Sequence, residues 1–215
     1  HPAGVERNAP QGRRVRGMSA SVLSIRHLSV EIPTRGGVLR PVDDVSFDIA
    51  AGEILGVVGE SGAGKSMTGN AIIGLLDRPA HIAGGEVWLG DTRIDNLDRE
   101  AMRRIRGRGI GMVFQDPLTS LNPLLPIGTQ LTETIRAHLD VSAAEAASRA
   151  LAGLDEVGIP AARSRMDAYP HEFSGGMRQR VVIALALCAA PRLVIADEPT
   201  TALDVSVQAQ IIALL

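Results

Sequence analysis

The sequence has almost nothing with which to stack a nucleic-acid base: one tryptophan, one tyrosine and three phenylalanines in 215 residues. That scarcity argues against an aromatic platform for single strands. A basic field is lacking too, with 22 lysines and arginines set against 24 acidic residues. No nucleic-acid partner is expected from such a balance. Cysteine is nearly absent. The single Cys188 lies in an apolar stretch, so a disulfide framework is excluded, a reducing compartment is favoured and Cys188 reads as a small core residue. Long apolar runs are missing as well. The longest, Val181 to Ala190, is about half of the ~20 residues needed to cross a bilayer and reads as a buried helix. Any membrane role is expected to come through partners.

What is present is a hydrophobic content of 45%, enough to bury one core in a single domain. Residues 1–17 carry arginine and proline without usable periodicity, and two readings stay open for them: a disordered arm, or sequence foreign to a domain that opens at Met18. At the other end, Val205 to Leu215 repeat apolar residues at helical spacing and stop without cap or glycine, which predicts a truncated chain.

Between these ends, strands and helices alternate. Val22 to Ile32 alternates apolar and polar residues as a strand does, Thr34-Arg35-Gly36-Gly37 supplies a turn, and Val42 to Ile49 reads as the partner strand. Glu53 to Val58 suits a short, fully buried strand. The pattern then predicts a helix over about 65–76, a strand over 86–89 and a charged helix opening at Asp98. Ile110 to Phe114 reads as a strand, Pro117 to Pro126 as a loop, and Ile127 to Leu139 and Ser142 to Val157 as helices. A helix opening at Ser174 is expected to run to about Ala190, and Leu193 to Ala196 is a further buried strand. This order implies an α/β fold with a mainly parallel sheet and an inserted helical section.

Three stretches carry chemistry. Gly59-Glu60-Ser61-Gly62-Ala63-Gly64-Lys65-Ser66 fits G-x-x-x-x-G-K-[ST] in full, after a predicted strand and before a predicted helix. Glycines there let successive N–H groups turn inward around a polyphosphate, and the helix start adds its positive end. Lys65 would reach the terminal phosphates and the Ser66 hydroxyl would ligate Mg²⁺. The alternative is a chance glycine-rich turn, against which the flanking elements speak. Second, Leu193-Val194-Ile195-Ala196 delivers Asp197 and Glu198 to the carboxyl end of a strand, where open α/β sheets bind ligands. Asp197 would hold the metal and Glu198 would activate water; a solvent-facing acidic pair is the bland reading. Third, Phe173-Ser174-Gly175-Gly176-Met177 starts a helix, offering a second anion cradle or an ordinary capped end.

Together these elements resemble the ATP-binding subunits of ABC transporters over nearly the whole of Met18 to Leu215. The resemblance implies that family's P-loop NTPase fold, with antiparallel N-terminal strands and a helical subdomain at about 118–180. It makes Gly59 to Ser66 the Walker A loop, with Met67 also in the ATP site. Gln115 becomes the Q-loop glutamine, acting in catalysis beside Glu198 and in metal binding beside Ser66 and Asp197. Phe173 to Met177 becomes the signature motif, of which Ser174, Gly175 and Gly176 touch ATP across a dimer. Leu193 to Asp197 becomes Walker B, Glu198 the catalytic glutamate and Thr201-Ala202-Leu203-Asp204 the D-loop. The implied cofactors are ATP and Mg²⁺. The implied partners are transmembrane permease subunits, a second ATP-binding subunit (identical or not) and, indirectly, an extracytoplasmic solute-binding protein. The implied location is peripheral, on the cytoplasmic face of the inner membrane.

The match departs from the family in places. Its commonest signature is Leu-Ser-Gly-Gly-Gln, where this chain has Phe173 and Met177 at the ends. No aromatic residue stands near Gly36 to Asp43, where the family often stacks one on adenine, and a switch histidine would fall beyond Leu215. His171 is not that residue. The runs Phe114 to Pro123, Tyr169 to Arg180 and Asp197 to Val205 further resemble the dipeptide/oligopeptide (and nickel) importer branch. Among other classes, DNA-maintenance ATPases with the same signature carry long heptad repeats, which the stretch from Lys65 to Ser174 lacks. A small-molecule kinase leaves Ser174 and the Asp197-Glu198 pair unexplained.

Overall fold

The computed structural model describes residues 4–7, 21–60 and 62–199. The chain divides into two compact units, 1–103 and 104–215. Ser61, the Thr201 to Asp204 stretch and the terminal helical pattern from Val205 lie outside the described residues.

In the first unit, β1 (Gly4–Arg7) pairs antiparallel with β4 (Leu55–Val58), while β2 (Ser21–Thr34), β3 (Gly37–Ala50), β5 (His81–Leu89) and β6 (Thr92–Arg93) form an antiparallel sheet in the order β3-β2-β5-β6. The inward residues of β2 change parity along the strand: Leu23 and Ile25 are buried, then Leu28 and Val30. A bulge between Ile25 and Leu28, with His27 at φ 51°, inserts the extra residue that resets the alternation. Helix α1 (Lys65–Ile73) packs against β2, β3 and β5. It ends earlier than the apolar pattern suggests. Gly74 adopts φ 66°, and the Gly74 and Leu75 N–H groups bond back to Ala71 O and Asn70 O, closing the helix through a left-handed glycine. Helix α2 (Arg99–Ile105) runs into the second unit.

Two expectations are corrected here. Residues 4–7, read from sequence as carrying no periodic element, form a strand, because β4 offers an edge of unpaired N–H and C=O groups. The expected full burial of Glu53 to Val58 is not found: Val57 and Val58 are 38% and 47% exposed. Among the described residues β4 has only β1 beside it, and α1 covers the other sheet instead.

In the second unit, β7 (Ile110–Val113) and β8 (Leu193–Ala196) pair in parallel, Ile110 opposite Leu193 and Val113 opposite Ala196. The α/β class is thus present with its antiparallel N-terminal strands. Among the described residues, however, the sheets are mixed rather than mainly parallel, because β4 pairs with β1 and only β7 and β8 of the named strands pair in parallel. Five helices accompany this pair: α3 (Pro117–Ser120), α4 (Ile127–His138), α5 (Ala143–Glu156), α6 (Ala162–Arg165) and α7 (Gly175–Leu187), with a 3₁₀ turn at Pro170–Glu172. Leu131, Ile135, Ala146, Ala150, Leu154, Val181 and Ile183 build their common core. The expected loop over 117–126 contains α3. Pro117 supplies a preset φ at its first position, and the Thr119 and Ser120 hydroxyls donate to Asp116 O at 3.2 and 2.9 Å.

Candidate functional site

In the first unit the glycine-rich loop before α1 is held from two sides. The Lys65 ammonium donates to Gly59 O at 2.8 Å and to Glu60 O at 3.0 Å, folding the loop over the head of α1. Gly62 and Gly64 take φ of 82° and 84°, a region closed to most side chains. Gly64 is also crowded: a Cβ there would run into the Pro41 carbonyl. The Ala63 N–H donates to Glu60 O at 3.1 Å, completing the turn. Ser66 and Met67 then occupy the first turn of α1, Ser66 exposed and Met67 half-buried. Gly59, Glu60, Gly62, Ala63 and Gly64 therefore lie on the loop, and Lys65, Ser66 and Met67 on the helical turn that follows it. Pro41, which shapes the loop, was not legible from the motif.

In the second unit the parallel register decides the geometry. Val113 and Ala196 are partners, and each strand runs on by two residues, to Gln115 and to Glu198. The Asp197 N–H extends the ladder to Val113 O at 2.9 Å. Gln115 Nε2 then donates to Glu198 Oε2 at 3.0 Å. Two residues distant in sequence are thus joined at the strand ends, both exposed. Glu198 holds φ 46°, a left-handed conformation costing about 1 kcal/mol in a residue with a Cβ, of the sort that gathers at functional positions.

The Ser174 motif opens α7. Ser174 Oγ accepts from the Met177 N–H at 3.3 Å, which leaves the exposed Ser174-Gly175 backbone at the head of the helix. Arg178 Nε donates to Pro170 O at 2.7 Å, and the Tyr169 N–H donates to Glu172 Oε2 at 2.6 Å, so the approach to the helix is braced. Phe173 is buried beneath Arg165, whose guanidinium lies 5.7 Å from its ring centre. A large apolar anchor at this position explains why phenylalanine suits it. Cys188, at the far end of α7, is pushed up to about 11 by burial, as expected for a core thiol.

Sequence reasoning missed Gln179. It is a buried polar residue, 3% exposed, and its Nε2 has no hydrogen-bond partner among the described residues. The available signal was a single amide on the otherwise apolar stripe of positions 179, 182, 183 and 186.

Oxygen donors of the kind that suit a hard cation stand in each unit: in the first, Ser66 offers a hydroxyl; in the second, Asp197 offers a carboxylate and Gln115, donating through its nitrogen, retains a carbonyl oxygen. Among the described residues no three His, Cys, Asp or Glu side chains cluster. Among these residues no helix is long and apolar enough to cross a membrane.

The family profile described as ABC transporter matches residues 42–201. The oligopeptide transport ATP-binding protein OppD of Escherichia coli is 50% identical over 195 residues, covering 91% of this chain and 58% of that protein. OppD of Bacillus subtilis is 47% identical, covering 90% and 54%. The dipeptide transport ATP-binding protein DppD of Haemophilus influenzae is 45% identical, covering 91% and 59%. The chain thus spans a little under three-fifths of these relatives. Among solved structures, the ATP-binding cassette MJ0796, seen as a dimer bound to ADP and Pi, superposes with a TM-score of 0.77 at 29% identity, covering 89% of this chain and 80% of that one. A second dimeric structure of the same bacterial cassette gives the same values.

Proposed function

The chain belongs to the ABC transporter family, and from that premise we propose that it is the nucleotide-binding part of an ATPase subunit that drives import of di- or oligopeptides. The observation that carries the reading is the Gln115–Glu198 hydrogen bond of 3.0 Å at the ends of two parallel strands. It orients a carboxylate at the place where an α/β sheet receives its ligand.

Each residue then has a task. The loop Gly59 to Ser66 binds the phosphates through inward N–H groups, Lys65 exchanging its two carbonyl contacts for phosphate oxygens. Met67 lies beside them. Ser66, Asp197 and Gln115 are the residues that would hold Mg²⁺, which would supply charge neutralisation on the phosphates. Glu198 accepts the proton of the attacking water, and Gln115 fixes its carboxylate. Ser174, Gly175 and Gly176 present their helix end to the nucleotide of a second ATP-binding subunit, so ATP favours the closed pair and hydrolysis releases it.

Peptide cargo is favoured over nickel or another solute by the printed names of relatives 45–50% identical to this chain. In this reading the partners are transmembrane permease subunits and, through them, a solute-binding protein, with the subunit peripheral on the inner membrane's cytoplasmic face. The test is Glu198→Gln in the complete subunit. Turnover should fall by about 10²–10⁴-fold while ATP binding is retained, as for loss of a general base. Unchanged turnover would remove Glu198 from the role, and uptake of labelled nickel but not labelled peptide by the reconstituted transporter would reassign the cargo.

A further inference from the structure

We infer that Gln179 is a positioning residue that ties the signature helix α7 to the segment bearing Gln115. The reading rests on the ATPase function proposed above and goes beyond it, since Gln179 belongs to none of the motifs used there.

A buried amide donor with no acceptor is costly enough to call for an explanation. The fold says which segment runs alongside it. Ala186 sits against the start of β7: a Cβ on Gly111 would meet the Ala186 carbonyl oxygen at 2.5 Å. After α7 the chain reverses over 188–192 and enters β8, which runs parallel to β7, so α7 runs opposite to β7. Gln179 lies two turns before Ala186, on the same face of α7 and about 10 Å back along its axis. On β7 that distance is about three residues beyond Gly111, which brings Gln179 level with Phe114 and Gln115. Just past them comes α3, which packs against α7. A one-turn helix satisfies almost none of its own carbonyls. An orphan donor on α7 therefore lies level with a segment that carries backbone acceptors, and that segment begins at the residue that holds Glu198.

The consequence is a link between two parts of the cycle. A bond from Gln179 to a carbonyl of residues 115–120, direct or through one water, fixes Gln115 when the head of α7 is engaged by nucleotide. Loss of the bond leaves both motifs intact and their relative position loose.

The experiment uses the complete subunit. Gln179→Met keeps length and volume and removes the donor. A merely structural orphan should give a variant at least as stable, with unchanged kinetics. The positioning role predicts an unchanged or raised melting temperature, unchanged KM for ATP, and kcat lower by about 10-fold or more, as misplaced catalytic groups give. It also predicts that Gln115→Ala adds little further loss once Gln179 is gone. Wild-type kcat in Gln179→Met, or losses that multiply with Gln115→Ala, would overturn the inference while leaving the ATPase reading standing; absence of hydrolysis by the unmodified subunit would overturn both. Should the variant not fold, the wild-type subunit bound to a non-hydrolysable ATP analogue decides. A crystal structure with Gln179 Nε2 bonded within 115–120 supports the link, and one with it bonded elsewhere ends it.

Discussion

Gly64 shows how much one residue type settles. Its φ of 84° excludes most side chains, and the Pro41 carbonyl occupies the place where a Cβ would go. Gly64→Ala should therefore cost about 1–3 kcal/mol and weaken nucleotide binding. Gly62→Ala meets nothing within 4 Å and bears only the conformational penalty of its φ of 82°. Urea denaturation and titration with a fluorescent ATP analogue would separate the two; equal losses would mean that Pro41 yields. A second residue-scale test concerns Asp95. Burial pushes its carboxyl up, but the Arg93 guanidinium and the Val87 N–H, which donate to it at 2.9 and 2.8 Å, outweigh burial and hold it below the usual range. A carboxyl lowered on folding stabilises above its unfolded value of about 4, and that contribution disappears as the pH falls through the lower folded value. Asp95→Asn should flatten the acid limb of a stability-versus-pH curve below about pH 4, and an unaltered limb would assign acid sensitivity to other carboxylates. The G-x-x-x-x-G-K-[ST] spacing identified Gly64, since a phosphate cradle needs that backbone. It was silent about Pro41 and Asp95, whose roles depend on neighbours brought in by the sheet.

At the scale of elements, legibility follows how local the cause is. The start of α7 could be read because a serine before two glycines caps a helix by itself, and Ser174 does accept the Met177 N–H. Ser174→Ala should cost about 1 kcal/mol by removing that acceptor, with Ser174→Thr retaining most of it; thermal melts of the two would show the difference, and equal melts would mean that the cap contributes nothing. The end of α1 was harder. Apolar residues continue past Ile73, but Gly74 turns left-handed and stops the helix, which hydrophobic period alone does not report. The short helix α3 was hidden for the opposite reason: Pro117 and Asn122-Pro123 read as turn chemistry, although proline also suits a first helical position. The exposure of β4 had no local sign at all. A run such as Ile54-Leu55-Gly56-Val57-Val58 is apolar whether or not an element lies over it, and burial depends on which element does.

For the whole molecule, the proposed function requires that one catalytic site be assembled from two subunits, and this can be tested without seeing the pair. In a twofold pair of identical copies, each phosphate loop meets the other copy's Ser174-Gly175-Gly176 helix end. Lys65→Ala disables the loop. Gly175→Asp disables the helix end: its Cβ meets nothing within 4 Å and an acid in the first turn suits the helix, so the fold tolerates it, while the new charge repels the bound phosphate. Each variant alone should be nearly inactive, since both sites of its dimer carry the defect. Mixed, they form pairs in which both defects fall on one site and the other is whole. ATPase activity should return to roughly a quarter of the unmodified level if subunits exchange freely and each site works alone. Activity no greater than the sum of the separate variants would reject head-to-tail pairing of identical copies. The partner would then be a different ATP-binding chain, for which the same crossed substitutions, one placed on each protein, repeat the test.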